Sequence, residues 1–163
     1  MAEFVLRVPN LEKGVSTHSF EISGEWLRAQ LADLEGIDAS GEVGRFSLTT
    51  TIRGQEVLLS GEVRATLLVD CVRCLETFEF PIEGDLAVLM VPGPAPVAGE
   101  DEEDGEDLGV EHYQGEEIEL DELIRDTIVL EVPISPSCGD SCPGWEHLKD
   151  GPTEVEAEQN RFR

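Results

Sequence analysis

Four cysteines, grouped as two short pairs, are the residues of this chain best suited to chemistry. Cys71 and Cys74 have two residues between them, Cys138 and Cys142 have three, and no other cysteine occurs among the 163 residues. Zinc binds four thiolates at the corners of a tetrahedron, and two cysteines on one tight turn supply one edge of it. The spacing therefore predicts one zinc site made by Cys71, Cys74, Cys138 and Cys142, which joins the middle of the chain to its C-terminal part.

Free buried thiols and two disulfides are the alternatives, and a reducing cytosol disfavours the disulfides. His147 could also replace one cysteine as the fourth ligand, although a histidine in a polar tail is more often only solvated. A redox-active Cys-x-x-Cys pair usually has a thiol pKa lowered by a helix N-terminus, and the residues after Cys74 alternate like a strand instead. Four thiolates fill the coordination shell of zinc, so we expect a structural site rather than a catalytic one.

The remaining residues give no signal of an enzyme. His18, His112 and His147 fall in predicted loops without a nucleophile pattern beside them, and the glycines lack the spacing of a phosphate-binding loop. We therefore expect a protein that is not an enzyme. A zinc-dependent hydrolase or a thiol oxidoreductase is the least favoured interpretation.

Acidic residues dominate the charge of the chain. The sequence has 36 acids and 11 bases, a formal net charge of -25, and fourteen of the acids lie in residues 99–126. Such a chain repels bare phosphate unless a local basic face compensates, and it attracts basic partners. No stretch reaches the length of a bilayer-spanning helix, and the acidic N-terminus does not resemble a secretory signal. We therefore expect a cytoplasmic location, no membrane contact and a basic partner.

Hydrophobic spacing predicts short elements near the N-terminus. Residues 3–8 alternate as a strand, and Phe20 and Ile22 suggest another short strand. Ser23 then suits a helix N-cap, and apolar residues follow at helical spacing up to a C-terminal stop at Gly36. This predicts one amphipathic helix of about three turns.

From residue 44 to residue 90, apolar and polar residues alternate, which predicts long antiparallel strands. The first cysteine pair falls at the hairpin tip between the two longest strands. Strands of this length bend, and Gly61 and Gly84 are the positions where a bulge or kink would be tolerated. The predicted fold class is therefore α+β: a curved antiparallel β-meander, or half-open barrel, with two packed helices and a zinc knuckle.

We predict one domain with an acidic insertion. Residues 1–92 hold the antiparallel sheet, the N-terminal helix and the cysteine knuckle, and residues 93–115 form an acidic disordered loop. Residues 116–147 add a short strand, a C-terminal helix and the second cysteine pair to the same domain. Residues 148–163 are predicted to form a flexible tail.

Four arginines are candidates for a functional role. Arg45, Arg53 and Arg64 fall on the polar face of the predicted sheet, where guanidinium groups could bind RNA phosphates. The more conservative interpretation is cross-strand pairing with glutamates, namely Glu42, Glu56 and Glu62. Arg73, inside the knuckle, could instead offset the net negative charge of a four-thiolate zinc site.

Two blocks of the sequence resemble the YceD family. The first runs from Gly61 to Leu75 and closes with Cys71-Val72-Arg73-Cys74-Leu75; the second contains Ile118-Glu119-Leu120, Leu123-Ile124-Arg125, Leu130-Glu131-Val132-Pro133 and Pro136-Ser137-Cys138. Together they cover most of residues 57–145. The resemblance implies a bacterial or plastid protein needed for accumulation of large-subunit ribosomal RNA. It also implies a gene beside that of a small zinc-ribbon protein of the large ribosomal subunit.

The chain departs from the family pattern after Cys142. Many members of the family continue with Gly-Leu-Cys and another Cys-Gly step, where this sequence has Gly144-Trp145-Glu146 and then Lys149. The common Asp-Pro-Arg ending is also missing. Composition thus excludes a second cysteine cluster, and the varying cysteine number among relatives implies that the metal could be dispensable.

With this resemblance, we expect a non-enzymatic, zinc-containing factor that supports large-subunit ribosomal RNA accumulation and ribosome biogenesis. Its acidity indicates a basic ribosomal protein or an assembling particle as the direct partner, and the zinc-ribbon protein encoded next door is the sharpest candidate. The competing hypothesis is a direct rRNA-binding protein that uses Arg45, Arg53 and Arg64. The acidic loop is either a solubilising segment or a mimic of the RNA backbone that holds a basic protein.

Overall fold

The computed structural model describes residues 2–11, 13–95 and 109–146. Within these ranges the strands are β1 (Val5–Arg7), β2 (Val15–Ile22), β3 (Ile37–Ala39), β4 (Gly44–Arg53), β5 (Glu56–Asp70), β6 (Thr77–Pro92), β7 (Gly109–Tyr113) and β8 (Glu117–Glu119). The helices are α1 (Gly24–Gln30) and α2 (Asp121–Glu131), and one turn of 3-10 helix covers Val8–Asn10.

The main sheet has the strand order β2-β4-β5-β6-β7, with β3 paired to the second half of β5. The pairs are antiparallel except β6 with β7, which is parallel. The two longest strands, β5 and β6, pair from Val57 with Met90 to Asp70 with Thr77. The predicted α+β class with a mostly antiparallel sheet is confirmed. The sheet does not close, and its description as a half-open barrel stays a prediction.

Strict alternation along β4, β5 and β6 gives the sheet one buried face. Phe46, Leu48 and Leu59 on this face are fully buried, and so are Ile124 and Ile128 of α2. Burying one such side chain stabilises the fold by about 1.5–3 kcal/mol. The helix α2 packs across this face of β5 and β6, so burial of its apolar stripe fixes the direction in which the chain leaves towards Cys138.

Gly61 and Gly84 were the positions where a bulge or kink would be tolerated, and the pairing of β5 with β6 runs through both without a bulge. Gly61 lies opposite Leu86, and Gly84 opposite Val63, with no inserted residue. The glycines are needed for close approach instead, because a Cβ at Gly84 would lie 2.8 Å from Thr127 Cγ2 of α2. A Cβ at Gly61 would lie 2.6 Å from a backbone oxygen of β4.

The N-terminal elements differ in length from the predictions. The strand expected over residues 3–8 is β1, Val5–Arg7, and β2 begins at Val15, five residues before Phe20. Ser23 caps α1 as predicted, because its Oγ accepts a hydrogen bond from the backbone N–H of Trp26 at 3.1 Å. The helix ends at Gln30, well short of Gly36.

The strand β7 lies inside the range expected to be an acidic disordered loop, residues 93–115. Its Tyr113 is buried and donates a hydrogen bond to the carbonyl oxygen of Gln55 at 2.6 Å. Residues 96–108 of the expected loop, and residues 147–163 with the expected flexible tail and His147, lie outside the described residues. The short strand and helix expected from residue 116 onward are present as β8 and α2.

Candidate metal centre

The structure brings the four predicted cysteines together. Their sulfur atoms all lie within 4.8 Å of one another, although 63 residues separate Cys74 from Cys138 in the chain. Two distances between the pairs are short: Cys71 Sγ to Cys142 Sγ is 3.7 Å, and Cys74 Sγ to Cys138 Sγ is also 3.7 Å. These two edges between the segments are as short as one expects around a shared ion.

The hairpin tip, residues 71–76, is shaped by backbone hydrogen bonds. The N–H of Cys71 donates to the carbonyl of Glu76 at 2.9 Å, and the N–H of Leu75 donates to the carbonyl of Cys71 at 2.8 Å. Leu75 has φ +62°, the left-handed region that leucine rarely adopts. This turn reverses the chain so that the fully buried Cys71 and the 1% exposed Cys74 face the same point.

The C-terminal segment, residues 132–146, brings the second pair to the hairpin tip. The N–H of Val72 donates to the carbonyl of Pro136 at 2.9 Å, and the N–H of Cys138 points at Cys71 Sγ at 3.4 Å. Gly139 has φ +115°, and its carbonyl accepts the N–H of Cys142 at 3.1 Å. The second pair thus also sits on a turn, one residue longer than the first.

The pKa values of three of the thiols, those of Cys71, Cys74 and Cys138, are shifted in different directions. The pKa of Cys71 is lowered to about 5, chiefly by the backbone N–H of Cys74, with help from the N–H groups of Cys138 and Arg73 against the effect of burial. The pKa of Cys138 is raised to about 12 by its hydrogen bond with Cys142 and by burial. The pKa of Cys74 is raised as well: the N–H of Glu76 lowers it, but burial and the neighbouring thiols act more strongly together. These hydrogen bonds favour the thiolate form of Cys71, which is the form that binds a metal ion.

The donor set fits zinc. A tetrahedron with Zn–S bonds of about 2.3 Å has sulfurs roughly 3.8 Å apart, close to the two 3.7 Å distances here. All four cysteines are free, and 3.7 Å is far longer than the bond of about 2.05 Å in a disulfide. The arrangement can hold a tetrahedral metal ion with a complete protein shell, and it leaves no ligand position open for a substrate.

Arg73 lies at the hairpin tip with an exposed side chain. Among the described residues, no carboxylate lies within 4 Å of its guanidinium. Its backbone N–H is one of the groups that favour the Cys71 thiolate. The role of its side chain in offsetting the charge of the site stays a prediction.

The three arginines predicted on the polar face of the sheet, Arg45, Arg53 and Arg64, do not form one cluster. Arg45 and Arg64 are directly opposite each other in the pairing of β4 with β5. Arg53 lies at the far end of β4, roughly 27 Å away at about 3.4 Å per residue. Arg64 forms an ion pair at 2.6 Å with Glu62, which lies on the same strand and not across the sheet as predicted, and a cross-strand ion pair at 3.5 Å with Glu83 of β6. Within the described part of the chain, Arg45 and Arg53 have no ion-pair partner.

Two carboxylates that sequence patterns did not single out hold α2 in place. Asp121 accepts hydrogen bonds from the backbone N–H groups of Glu3 and Phe4 and, at 2.8 Å, from Trp26 Nε1. Asp33 accepts two hydrogen bonds from Arg125, which keep its pKa below the ordinary value. In the sequence, the position of Asp121 at the start of a helix was the only indication that this residue has a role. That position did not identify Glu3, Phe4 or Trp26 as its hydrogen-bond donors.

The fold and the four-cysteine cluster define an α+β protein whose sheet and C-terminal segment meet at a candidate metal centre. No helix in the described part of the chain is long and apolar enough to cross a bilayer. Residues 59–162 match the family described as large ribosomal RNA subunit accumulation protein YceD. The chain belongs to this family, as the two sequence blocks indicated.

Several mycobacterial proteins that bear the name 'uncharacterized protein' are similar to this chain. Those of Mycobacterium tuberculosis and Mycobacterium bovis are 37% identical over 88 residues, which is 54% of this chain and 41% of theirs. One of Mycobacterium leprae is 31% identical over 90 residues, 55% of this chain and 40% of its own. The match thus spans about two fifths of the length of these relatives. No solved structure matches the chain.

Proposed function

We propose that this protein is a non-enzymatic factor that supports large-subunit ribosomal RNA accumulation, with a structural zinc ion held by Cys71, Cys74, Cys138 and Cys142. The observation that carries the metal part is the convergence of the four sulfurs within 4.8 Å. The name of the family supports the link to large-subunit ribosomal RNA. A filled thiolate shell supports a structural role, because catalytic zinc keeps one position open.

We further propose that the direct partner is basic: a ribosomal protein, or the assembling large-subunit particle that carries it. The formal net charge of -25 supports this choice, because it attracts basic surfaces and repels bare phosphate. The zinc-ribbon protein implied by the family's gene neighbourhood is the first protein to test. A reducing cytoplasm is the proposed location, since four free thiols stay available for zinc there.

Native mass measurement and a cellular assay test the two parts separately. Freshly purified protein is expected to carry one zinc ion, and a chelator is expected to remove it. Cells depleted of the protein are expected to lose large-subunit rRNA relative to small-subunit rRNA, and the wild-type chain restores the ratio. A normal rRNA ratio after depletion would defeat the proposed function, whatever the metal content.

Direct RNA binding is the second candidate, because Arg45 lies beside Arg64 and has no ion pair among the described residues. Replacing Arg45, Arg53 and Arg64 with alanine should then weaken rRNA retention and reduce its dependence on salt. Arg28→Ala is a matched control, because this arginine is also exposed but lies on α1, paired with Asp38. Unchanged retention in the triple variant would exclude this face as the RNA site.

A further inference from the structure

Exposed apolar side chains are concentrated around the candidate metal centre. Of the eight large apolar residues exposed in the described part of the chain, four lie on the hairpin tip or the C-terminal segment. Val72 is 53% exposed, Leu75 63% and Ile134 fully exposed. Contiguous exposed apolar residues in a polar surround mark interaction sites more often than scattered ones.

The conformation of Leu75 adds a second, independent observation. At φ +62° a glycine is unstrained, whereas a leucine carries a steric penalty. The side chain recovers little of that penalty by burial, because most of it is exposed to solvent. Strained residues of this kind cluster at functional sites, where the side chain is needed for something other than stability.

The two segments form one surface. The hydrogen bond from Val72 N–H to the Pro136 carbonyl joins the two segments, and Ile134, two residues before Pro136, lies within about 7 Å of that joint along the chain. The hydrogen bond from Cys138 N–H to Cys71 Sγ and the thiolate cluster hold the same two segments together. The apolar residues are therefore presented on a base that is already ordered, which lowers the entropic cost of binding.

Charge around this surface selects the partner. Asp70 and Glu76 are exposed beside the hairpin tip and Asp140 is exposed between the second cysteine pair, whereas Arg73 is the one basic side chain of residues 70–76 and 132–146. Four thiolates with one divalent ion add further negative charge. RNA recognition by single-strand-binding surfaces also needs a basic groove, which a surface with an acidic rim does not provide, although Trp145 of the C-terminal segment is an exposed aromatic side chain.

We propose that the docking surface formed by Val72, Leu75 and Ile134 binds a basic protein segment. An apolar side chain of that segment packs on Leu75 and Ile134, and its lysines or arginines face Asp70, Glu76 and Asp140. This inference rests on the proposed function, because it assigns a binding surface for the basic ribosomal partner. The acidic rim steers the encounter, and the apolar centre supplies the lasting contact.

The test compares zinc-loaded, full-length variants. Leu75→Gly removes the side chain and suits the left-handed backbone, so it should not destabilise the fold. Ile134→Ser removes a side chain that makes no contribution to the core. Val15→Ser and Val110→Ser are matched controls, because they replace valines that are also exposed. Strand pairing places both valines in one cross-strand row of the main sheet, and this row also contains Leu58 of β5. Leu58 lies twelve residues before Asp70, so this row is roughly 40 Å from the tip.

The probe is the RNA-free protein mixture of the large ribosomal subunit, and the protein captured by the wild type is identified and then titrated alone. Protein-free large-subunit rRNA forms a second arm. We expect one basic protein to bind, with about tenfold weaker affinity for each of Leu75→Gly and Ile134→Ser and unchanged affinity for the controls. Wild-type melting temperatures for Leu75→Gly would show that the loss is not one of folding.

Equal affinity of wild type and both tip variants would overturn the docking surface while leaving the proposed function intact. Capture of rRNA alone, or of no ribosomal component, would also overturn it. In those cases the rRNA ratio in depleted cells decides separately whether the proposed function fails. A restored ratio with the Leu75→Gly, Ile134→Ser double variant would count against the surface but not against the function.

Discussion

If the candidate centre holds the proposed zinc ion, removal of that ion should destabilise the whole fold, because the ion would close a long loop. The segment between Cys74 and Cys138 contains 63 residues. If an ion cross-link restricts the unfolded chain as a disulfide does, closing a loop of this length contributes about 4 kcal/mol to the free energy of unfolding. Metal removal is therefore expected to lower the melting temperature by roughly 10–15 °C for a domain of this size.

Thermal unfolding followed by far-ultraviolet circular dichroism measures this shift, with stoichiometric zinc in one sample and a chelator in the other. A variant with all four cysteines replaced by serine is the control, and its melting temperature should not respond to the chelator. Cys138→Ser combined with Cys142→Ser should melt like the chelated wild type, because it leaves the hairpin tip without its distant partners. A zinc-bound wild type whose melting temperature is insensitive to the chelator would refute the cross-link.

Three further substitutions test the packing of α2 and its contacts. Gly84→Val should destabilise the protein by about 1–3 kcal/mol in urea unfolding, because its side chain would overlap Thr127. Asp121→Ala should cost about 1–3 kcal/mol, because Trp26 Nε1 loses its acceptor in a buried setting. Asp33→Asn should be less stable than wild type at neutral pH, because the lowered pKa of Asp33 favours the folded carboxylate. The difference in stability between wild type and Asp33→Asn should begin to shrink as the pH falls below 3.8, the ordinary pKa of an aspartate. It should be gone once the pH has passed the lowered pKa of Asp33 in the folded protein.

Matched controls make these outcomes specific. Gly109→Val should be tolerated, because a Cβ there meets only Val88 at 3.9 Å. Glu122→Ala, on the exposed first turn of α2, should change the stability by less than about 0.5 kcal/mol. Equal unfolding midpoints for Gly84→Val and Gly109→Val would contradict the close approach of α2 to the sheet. A stability difference between wild type and Asp33→Asn that does not begin to shrink as the pH falls below 3.8 would contradict the assigned ion pair.

The long strands were predictable, because their burial is a direct consequence of the alternating pattern. Along β4 and β5, residues such as Phe46, Leu48 and Val63 point to one buried face. By contrast, β7 follows a highly acidic stretch and buries only Tyr113. Its hydrophobic pattern therefore could not distinguish a strand from a loop. Pairing with the edge of β6 stabilises it, and that contact is not visible in its own five residues.

The end of α1 shows how a tertiary contact overrides a helical pattern. Leu34 continues the helical spacing, but its N–H donates to the carbonyl of Leu31 rather than to that of Gln30. The Gln30 carbonyl instead accepts Nε of Arg125 from α2 at 3.0 Å. At this end of α1 the Gln30 carbonyl is therefore hydrogen-bonded to a residue 95 positions away in the chain, and not to Leu34.

The candidate site was predictable in its ligands and not in its surroundings. Two cysteine pairs, with no other cysteine in the chain, leave few ways to build a four-sulfur site, so spacing alone indicated the set. The strained Leu75 carried no signal, since a leucine after a Cys-x-x-Cys pair looks like the start of a strand. Arg45, Arg53 and Arg64 share a face by alternation; the eight positions that separate Arg45 from Arg53 on one strand already imply a distance of roughly 27 Å, whereas the pairing of Arg45 with Arg64 needed the register of β4 and β5.

The pairing of β1 with β8 has a consequence for synthesis of the protein. Val5 lies opposite Glu119, so the first strand meets its partner only after 114 further residues have been translated. At about 5–20 residues per second, the wait is roughly 6–20 s. During this interval Phe4 and Leu6, buried in the finished fold, have no complete site to enter. The nascent chain thus exposes Phe4 and Leu6 until β8 and α2 emerge, and protection of these side chains falls to chaperones or to the speed of translation itself.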